Sequence, residues 1–350
     1  MPIQLESQHD TDKGIPPATG SGAERLSKSK RAGLLGGTLD RVTPSALLIV
    51  FVVMCGGLAI VSPTFRTRGN VINVARQISI LGITATGMTI LIIGGDVDLS
   101  IGSVYGLSGI LCGMLLRDTR NVWLAMLAGL LAGIVVGLLN GSLVTRFRVP
   151  AFLVTLGTLN VVRGATLVIT GAFPLVFGTL GIPQSVLDTF YFFGQTRLWG
   201  VLPMQFVFMA TVMALGIVLL HHTPFGFHVF AVGGSSKAAR ISGINVSRVK
   251  IVAFAISGFL SALAGILASS FIGNAQPVAG QGLELDALAA TIIGGTPFTG
   301  GEGSLWGTLL GVALIGVLRN GLVLLGIGPF WQQVVIGMVL IISVVAPRLR

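Results

Sequence analysis

Nine apolar runs, each close to the about 20 residues a helix needs to cross a bilayer core of about 30 Å, constrain this chain most. They are Pro44 to Val61, Val74 to Ile93, Leu99 to Leu116, Trp123 to Val144, Phe152 to Thr170, Met204 to Leu220, Val249 to Ala268, Trp306 to Leu325 and Phe330 to Val345. A tenth, Glu284 to Ile293, is apolar but too short for a straight span and ends in glycines, which suits a broken or re-entrant piece covered by protein or facing a water-filled cavity. Charge scarcity supports the same reading: only 10% of the 350 residues are charged, against about a quarter in soluble domains. The expected fold is an all-α polytopic membrane protein of about ten transmembrane segments, some broken by glycine.

Before the first run lie about forty polar residues rich in Ser, Gly and Lys, which read as a cytoplasmic, disordered tail over 1–43. The run that follows Lys28, Lys30, Arg31 and Arg41 is long enough to span, and is expected to be retained rather than cleaved as a signal peptide. The transmembrane domain is then 44–346, with a cytoplasmic C-terminus at 347–350. The net charge of +10 is scattered singly between apolar runs. It forms no aromatic-interleaved patch, so nucleic acid is not an expected partner and membrane lipid is. Cys55 and Cys112 lie inside apolar runs and read as small hydrophobes.

Cytoplasmic loops carry the excess of Lys and Arg. Ten crossings with both ends inside place the tail, Arg146 and Arg148, Lys237, Arg240, Arg248 and Lys250, and Arg348 and Arg350 on the inner side. Arg66, Arg68, Arg76, Arg117, Arg120 and Arg197 then lie outside, as does the non-spanning stretch from about 171 to 202. The segment 221–250 is the longest inner loop.

Three patterns bear on packing and function. Gly129, Gly133, Gly137 and Gly141 form a four-residue-spaced stripe, and Gly258, Ala262 and Gly265 a weaker one, as close helix packing in lipid requires. Ile92-Ile93-Gly94-Gly95 followed by Gly102-Ser103-Val104-Tyr105-Gly106 is echoed, with a one-residue gap, by Ile292-Ile293-Gly294-Gly295 followed by Gly303-Ser304-Leu305-Trp306-Gly307. Interrupted segments at corresponding places point to a transport path. The first break carries two acids in GGDVDLSIGS, with no basic residue expected near enough to neutralise them. Asp98 and Ser100 are placed to cap the following helix, which leaves Asp96 to meet solvent or bind something else; the oxygen ligands a calcium loop needs are missing.

GGDVDLSIGSV resembles the signature G-G-x-D-L-S-x-G-S of the permease subunits of ribose-type ABC importers, a family that also moves xylose, arabinose, galactose and autoinducer-2-like sugars. Three further blocks resemble it: PAFLVTLGTLNVVRGATLVITG from Pro150, GFHVFAVGGSSKAARISGINVSRVKIVAFAISGFLSALAGIL from Gly226, and GLELDALAATIIGGTPFTGGEGSLWGTLLGVALIGVLRNGL from Gly282. Together they cover most of the chain after residue 44; the N-terminal tail departs from the pattern. The resemblance implies a sugar import permease in the bacterial inner membrane, acting with a second permease copy, a cytoplasmic ABC ATPase and an extracytoplasmic solute-binding protein. It also implies an ATPase-coupling segment that includes Gly226, Phe227, Arg240, Gly243, Ile244 and Asn245. Pathway or signature positions are Gly94, Gly95, Asp98, Ser100, Thr155, Thr158, Asn160, Arg163, Glu284, Asp286, Gly294 and Gly295.

The chain has no G-x-x-x-x-G-K-[ST] stretch, so no cofactor is expected on it and ATP is expected on the partner subunit. Several roles stay open at this level. The inner loop also reads as a plain basic face; Thr155 and Thr158 also suit bonds to their own helix backbone; Arg163 suits snorkelling or pairing with a carboxylate. An ion-coupled secondary transporter using Asp98, Glu284 or Asp286 is the alternative function. A membrane enzyme is disfavoured, since His9, His221, His222 and His228 form no metal-spaced cluster.

Overall fold

The computed structural model describes residues 44–345; the readings for 1–43 and 346–350 lie outside them. The described residues are mostly helical. In chain order the helices are α1 (Pro44–Val61), α2 (Arg68–Ile93), α3 (Ile101–Thr119), α4 (Val122–Phe147), α5 (Ala151–Thr170), α6 (Gln184–Gln195), α7 (Met204–His222), α8 (Pro224–Gly234), α9 (Ser236–Ile241), α10 (Val246–Ile272), α11 (Leu283–Ile293), α12 (Leu305–Leu324) and α13 (Pro329–Val345). Among the described residues, six helices are long and apolar enough to cross a membrane: α2, α4, α5, α7, α10 and α12. Apolar segments in α1 and α13 are shorter.

The helices begin and end where local chemistry dictates. Thr67, Asn121 and Asn245 accept from the backbone N–H groups of Asn70, Leu124 and Arg248 at the starts of α2, α4 and α10, so each satisfies a donor the helix cannot. Gly171 and Gly273 end α5 and α10 in the left-handed conformation that a residue without Cβ adopts freely.

At the centre is α10, packed against α4, α2, α3 and α6. The predicted glycine stripe is what brings α4 onto it. A Cβ at Gly133 or Gly137 would run into the backbone carbonyls of Gly258 or Phe254, and one at Gly141 would meet Ile251 Cα at 2.7 Å. In return, Gly258 lies against the Gly133 carbonyl and Gly265 against that of Tyr105. Small residues thus let backbone meet backbone, which maximises dispersion contact where no hydrophobic effect drives helices together. Side-chain polar ties add to this: Asn70 and Asn320 exchange two amide hydrogen bonds of 2.9 and 2.7 Å between α2 and α12.

The stretch 171–203 is folded against the end of α10. Its β1 (Leu175–Val176) pairs antiparallel with β2 (Asn274–Ala275), with Leu175 opposite Ala275. Phe177 and Phe190 are fully buried and meet edge to face at 5.5 Å. The α6 helix is held to the end of α10 by Ser270 Oγ donating to the Phe190 carbonyl at 2.7 Å.

Helix α11, with 11 residues, is about 16 Å long, about half the bilayer core. Its start lies beside the start of α3, where the Gly280 carbonyl touches Gly102. Just beyond its end, Gly301 N–H donates to the Ile93 carbonyl at 2.8 Å, at the end of α2. The short helix therefore covers the same interval as the irregular junction 94–100. Free backbone at that depth is tolerable because protein surrounds it.

Candidate functional site

The two glycine breaks have the same exit geometry. Gly94 and Gly294 cap α2 and α11 with φ/ψ of −73°/−1° and −63°/−1°. Gly95 and Gly295 follow with φ of 81° and 89°, and each donates to the carbonyl three residues back at 2.9 Å. Asp96 and Thr296 N–H then bond Leu91 and Thr291 carbonyls at 3.0 and 3.2 Å. The sequence echo is therefore a repeated helix terminator that only glycine fits at the positive φ. The repeat ends at the next helix: Ser304 caps α12 by accepting from Trp306 N–H at 3.2 Å, whereas its sequence counterpart Ser103 lies inside α3 and Ser100 occupies the cap position.

The first junction carries a buried polar network. Asp98 Oδ1 accepts from Ser100 N–H at 2.9 Å and from Ser100 Oγ at 2.6 Å; Asp98 Oδ2 accepts from Ser257 Oγ of α10 at 3.1 Å. Asn140 of α4 donates to Ser100 Oγ at 3.0 Å and accepts from Thr158 of α5 at 2.7 Å. Asp98, Ser100, Asn140 and Ser257 are each at most 1% exposed. Every bond in this chain points its hydrogen toward Asp98, as a single buried carboxylate requires. The helix-cap expectation is thus corrected: Asp98 folds back on Ser100 N–H and reaches α10, and Ser100 makes no side-chain cap to α3.

Asp96 does not meet solvent, and the expectation that no basic residue is near enough to neutralise it is corrected. Lys250, 154 residues away, brings its ammonium to 2.9 Å from the Asp96 carboxylate, and Asp96 is 7% exposed. Residues 96 and 98 of this irregular segment both turn to α10, where Lys250 and Ser257 stand seven residues, or two helical turns, apart. Val97 between them is buried with α2 and α11 residues.

Thr155 does what a threonine in a helix often does, bonding its own Ala151 carbonyl at 3.0 Å, while also reaching the Val97 carbonyl at 3.4 Å. Thr158 does not; its hydroxyl goes to Asn140. Arg163 makes no direct salt bridge, though the Glu284 carboxylate is close enough to attract its charge; it donates to the Pro277, Ala279 and Gly102 carbonyls at 2.7, 2.6 and 3.0 Å, clasping the loop before α11 to the start of α3. Glu284 accepts from Gly282 N–H at 3.2 Å with Oε1, and its Oε2 is buried without a hydrogen-bond partner. Asp286 pairs with Arg319 at 2.6 Å. Asn160 is exposed on α5 and bonds the Leu156 carbonyl at 2.9 Å.

The predicted coupling loop forms α8 and α9 and a turn. Gly226 fits against the Leu219 and Leu220 carbonyls, where no Cβ has room. Phe227 and Ile241 are 69% and 80% exposed, and Arg240 is exposed. Gly243 turns at φ 84° and Asn245 caps α10. Arg240, Ile244 and Asn245 share a shallow cleft with Arg148, which puts two predicted inner basic groups on one side of the molecule. Asn140, Ser257, Lys250 and Arg319 escape the sequence reading of the site; the available signal was an amide, a hydroxyl or a cation in or beside an apolar helix.

The family model described as branched-chain amino acid transport system / permease component matches residues 70–344. The ribose import permease protein RbsC of Bacillus subtilis (strain 168) is 40% identical over 326 residues, 93% of this chain and 98% of the relative. Its namesake in Escherichia coli (strain K12) is 38% identical, covering 85% of this chain and 91% of the relative. The L-arabinose transport system permease protein AraH of Escherichia coli (strain K12) is 33% identical, covering 87% and 90%. No solved structure matches the chain significantly. With a family model that spans most of its length and relatives that align nearly end to end, the chain belongs to this family of transport-system permease components.

Proposed function

We propose that this chain is the membrane-spanning subunit of an ATP-driven importer of a sugar or sugar-like polar solute in the bacterial inner membrane. The observation that carries the reading is the α8–α9 segment: two short helices between α7 and α10 that present Phe227, Arg240 and Ile241 outward, on a chain aligned nearly end to end with ribose and arabinose permeases. Exposed apolar and basic groups on a short helical projection suit docking by a cytoplasmic ATPase, which supplies the nucleotide site this sequence lacks. In this reading the chain makes ten crossings, α11 with its flanking loops counting as one, with α8 and α9 inside and 171–203 outside, facing the solute-binding protein.

The least buried of the six long spans is α5. Gly157 and Gly164 have open space before them, Asn160 lies exposed near them, and Leu156, Val161 and Val168 are exposed. A second permease copy facing α5 would enclose a path lined by Asn160 and the partly exposed Thr158, with lipid covering the other apolar faces. Ion coupling through Asp98, Glu284 or Asp286 is not supported: the chain aligns nearly end to end with ribose and arabinose import permeases, Asp286 is paired with Arg319 and both Asp98 oxygens are occupied, and of the three only Glu284 keeps a buried oxygen without a hydrogen-bond partner.

The test is copurification from membranes with uptake measured on the same complex. An ATPase subunit should accompany the chain, and Arg240→Glu or Gly243→Trp should leave inserted protein while uptake and binding-protein-stimulated hydrolysis fall. Unchanged transport in both variants would reduce α8–α9 to a basic face.

A further inference from the structure

The coupling segment grips the first glycine break at two points. Gly233 of α8 lies directly on the Ile93 carbonyl, leaving no room for a Cβ. Past α9, the chain enters α10, and its fifth residue, Lys250, forms the ion pair with Asp96. One turn further, Phe254 is fully buried against α4, and Ser257, one turn beyond that, holds Asp98. The first four turns of α10 are thus bonded to the junction by both of its acids, through Lys250 and Ser257.

We propose that Asp96 and Lys250 are positioning residues that make the 94–100 junction and the coupling segment move as one body, so that displacement of α8–α9 is delivered to the start of α3; this rests on the importer reading above. Charge placement supports it. The side chains of Asp96 and Lys250 are 7% and 19% exposed, so solvent screens the pair less than a surface pair, and breaking one partner leaves a largely buried charge unmatched. Hydrogen bonding alone would not need an ion pair here, since Asp98 is held by neutral hydroxyl and amide donors. A pair that couples two segments also differs from one that merely stabilises them: its loss changes how much transport each hydrolysis event yields.

The experiment uses the assembled transporter in proteoliposomes, with sugar uptake and ATP hydrolysis read together for wild type, Asp96→Lys, Lys250→Asp and the double exchange. Each single reversal is expected to lower uptake per ATP several-fold, and the double exchange to recover most of it. Wild-type uptake per ATP in both single variants would overturn the proposal, as would a double exchange no better than either single. If the reversals prevent insertion, Asp96→Asn and Lys250→Met replace them, and an unaltered ratio in both overturns the proposal equally. A wild-type complex that shows no ATP-driven uptake would remove the importer reading and this inference together, whereas coupled wild type with coupled variants removes the inference alone.

Discussion

Replacing Asp98 separates the charge of the buried network from its hydrogen bonds. In Asp98→Asn, the remaining carbonyl oxygen still accepts from Ser100 N–H and Oγ, while the amide nitrogen faces Ser257, whose hydroxyl turns to accept. Three charge-assisted bonds of about 1.5–3 kcal/mol become neutral ones of about 0.5–1.5 kcal/mol, a total loss of roughly 3–4 kcal/mol. Relief of a buried ion's desolvation, several kcal/mol, offsets it. Net stability should change little. Asp98→Ala instead leaves three buried donors, Ser100 N–H, Ser100 Oγ and Ser257 Oγ, without their acceptor at about 1–3 kcal/mol each, or about 3–9 kcal/mol together. Equilibrium unfolding of the detergent-solubilised protein should rank wild type and Asn together, with Ala well below, while uptake in the Asn variant drops several-fold because the charge that orients every donor is gone. An Asn variant as unstable as Ala would show that charge, not bonding, holds the junction; an Ala variant as stable as wild type would refute the network's structural role.

Three further outcomes follow from the geometry. Gly137→Ala drives a Cβ into the Phe254 backbone and should cost about 1–3 kcal/mol by overpacking, read as a lowered thermal midpoint; an unchanged midpoint would mean that α4 and α10 are not in backbone contact. Arg319→Met strips the partner from Asp286 and should destabilise by less than the about 3–5 kcal/mol of a fully buried broken pair, because Arg319 is 37% exposed; adding Asp286→Asn should recover much of the loss, and failure to do so would argue against the pair. Cysteines at Ser235 or Ser236 should resist impermeant thiol reagents added to intact cells, and ready labelling there would invert the topology.

Helices were the legible part of the fold, because a lipid-embedded chain must satisfy its backbone internally and reveals this as long apolar runs. The run Pro44 to Val61 coincides with α1 and the others differ from their helices mainly at the ends, where polar caps such as Asn121 and Asn245 extend α4 and α10 past the oily residues. The glycine stripe was legible for a steric reason that needs no partner to be known. Partner choice was not. Nothing local to GGDVDLS indicates that Lys250 will neutralise Asp96, and Asn140 resembles any isolated amide until Ser100 and Thr158 are brought to it. Arg163 shows the same limit: its three acceptors are backbone carbonyls, which carry no sequence signal.

The central claim, that this permease is driven by ATP through α8–α9, is tested most directly by uptake of labelled pentoses and hexoses into proteoliposomes holding the complete complex. Uptake of one of these sugars should require the binding protein outside and ATP on the α8–α9 side, should persist when proton and sodium gradients are collapsed, and should fail with Gly243→Trp. Uptake that proceeds without ATP and follows an imposed ion gradient would contradict the account.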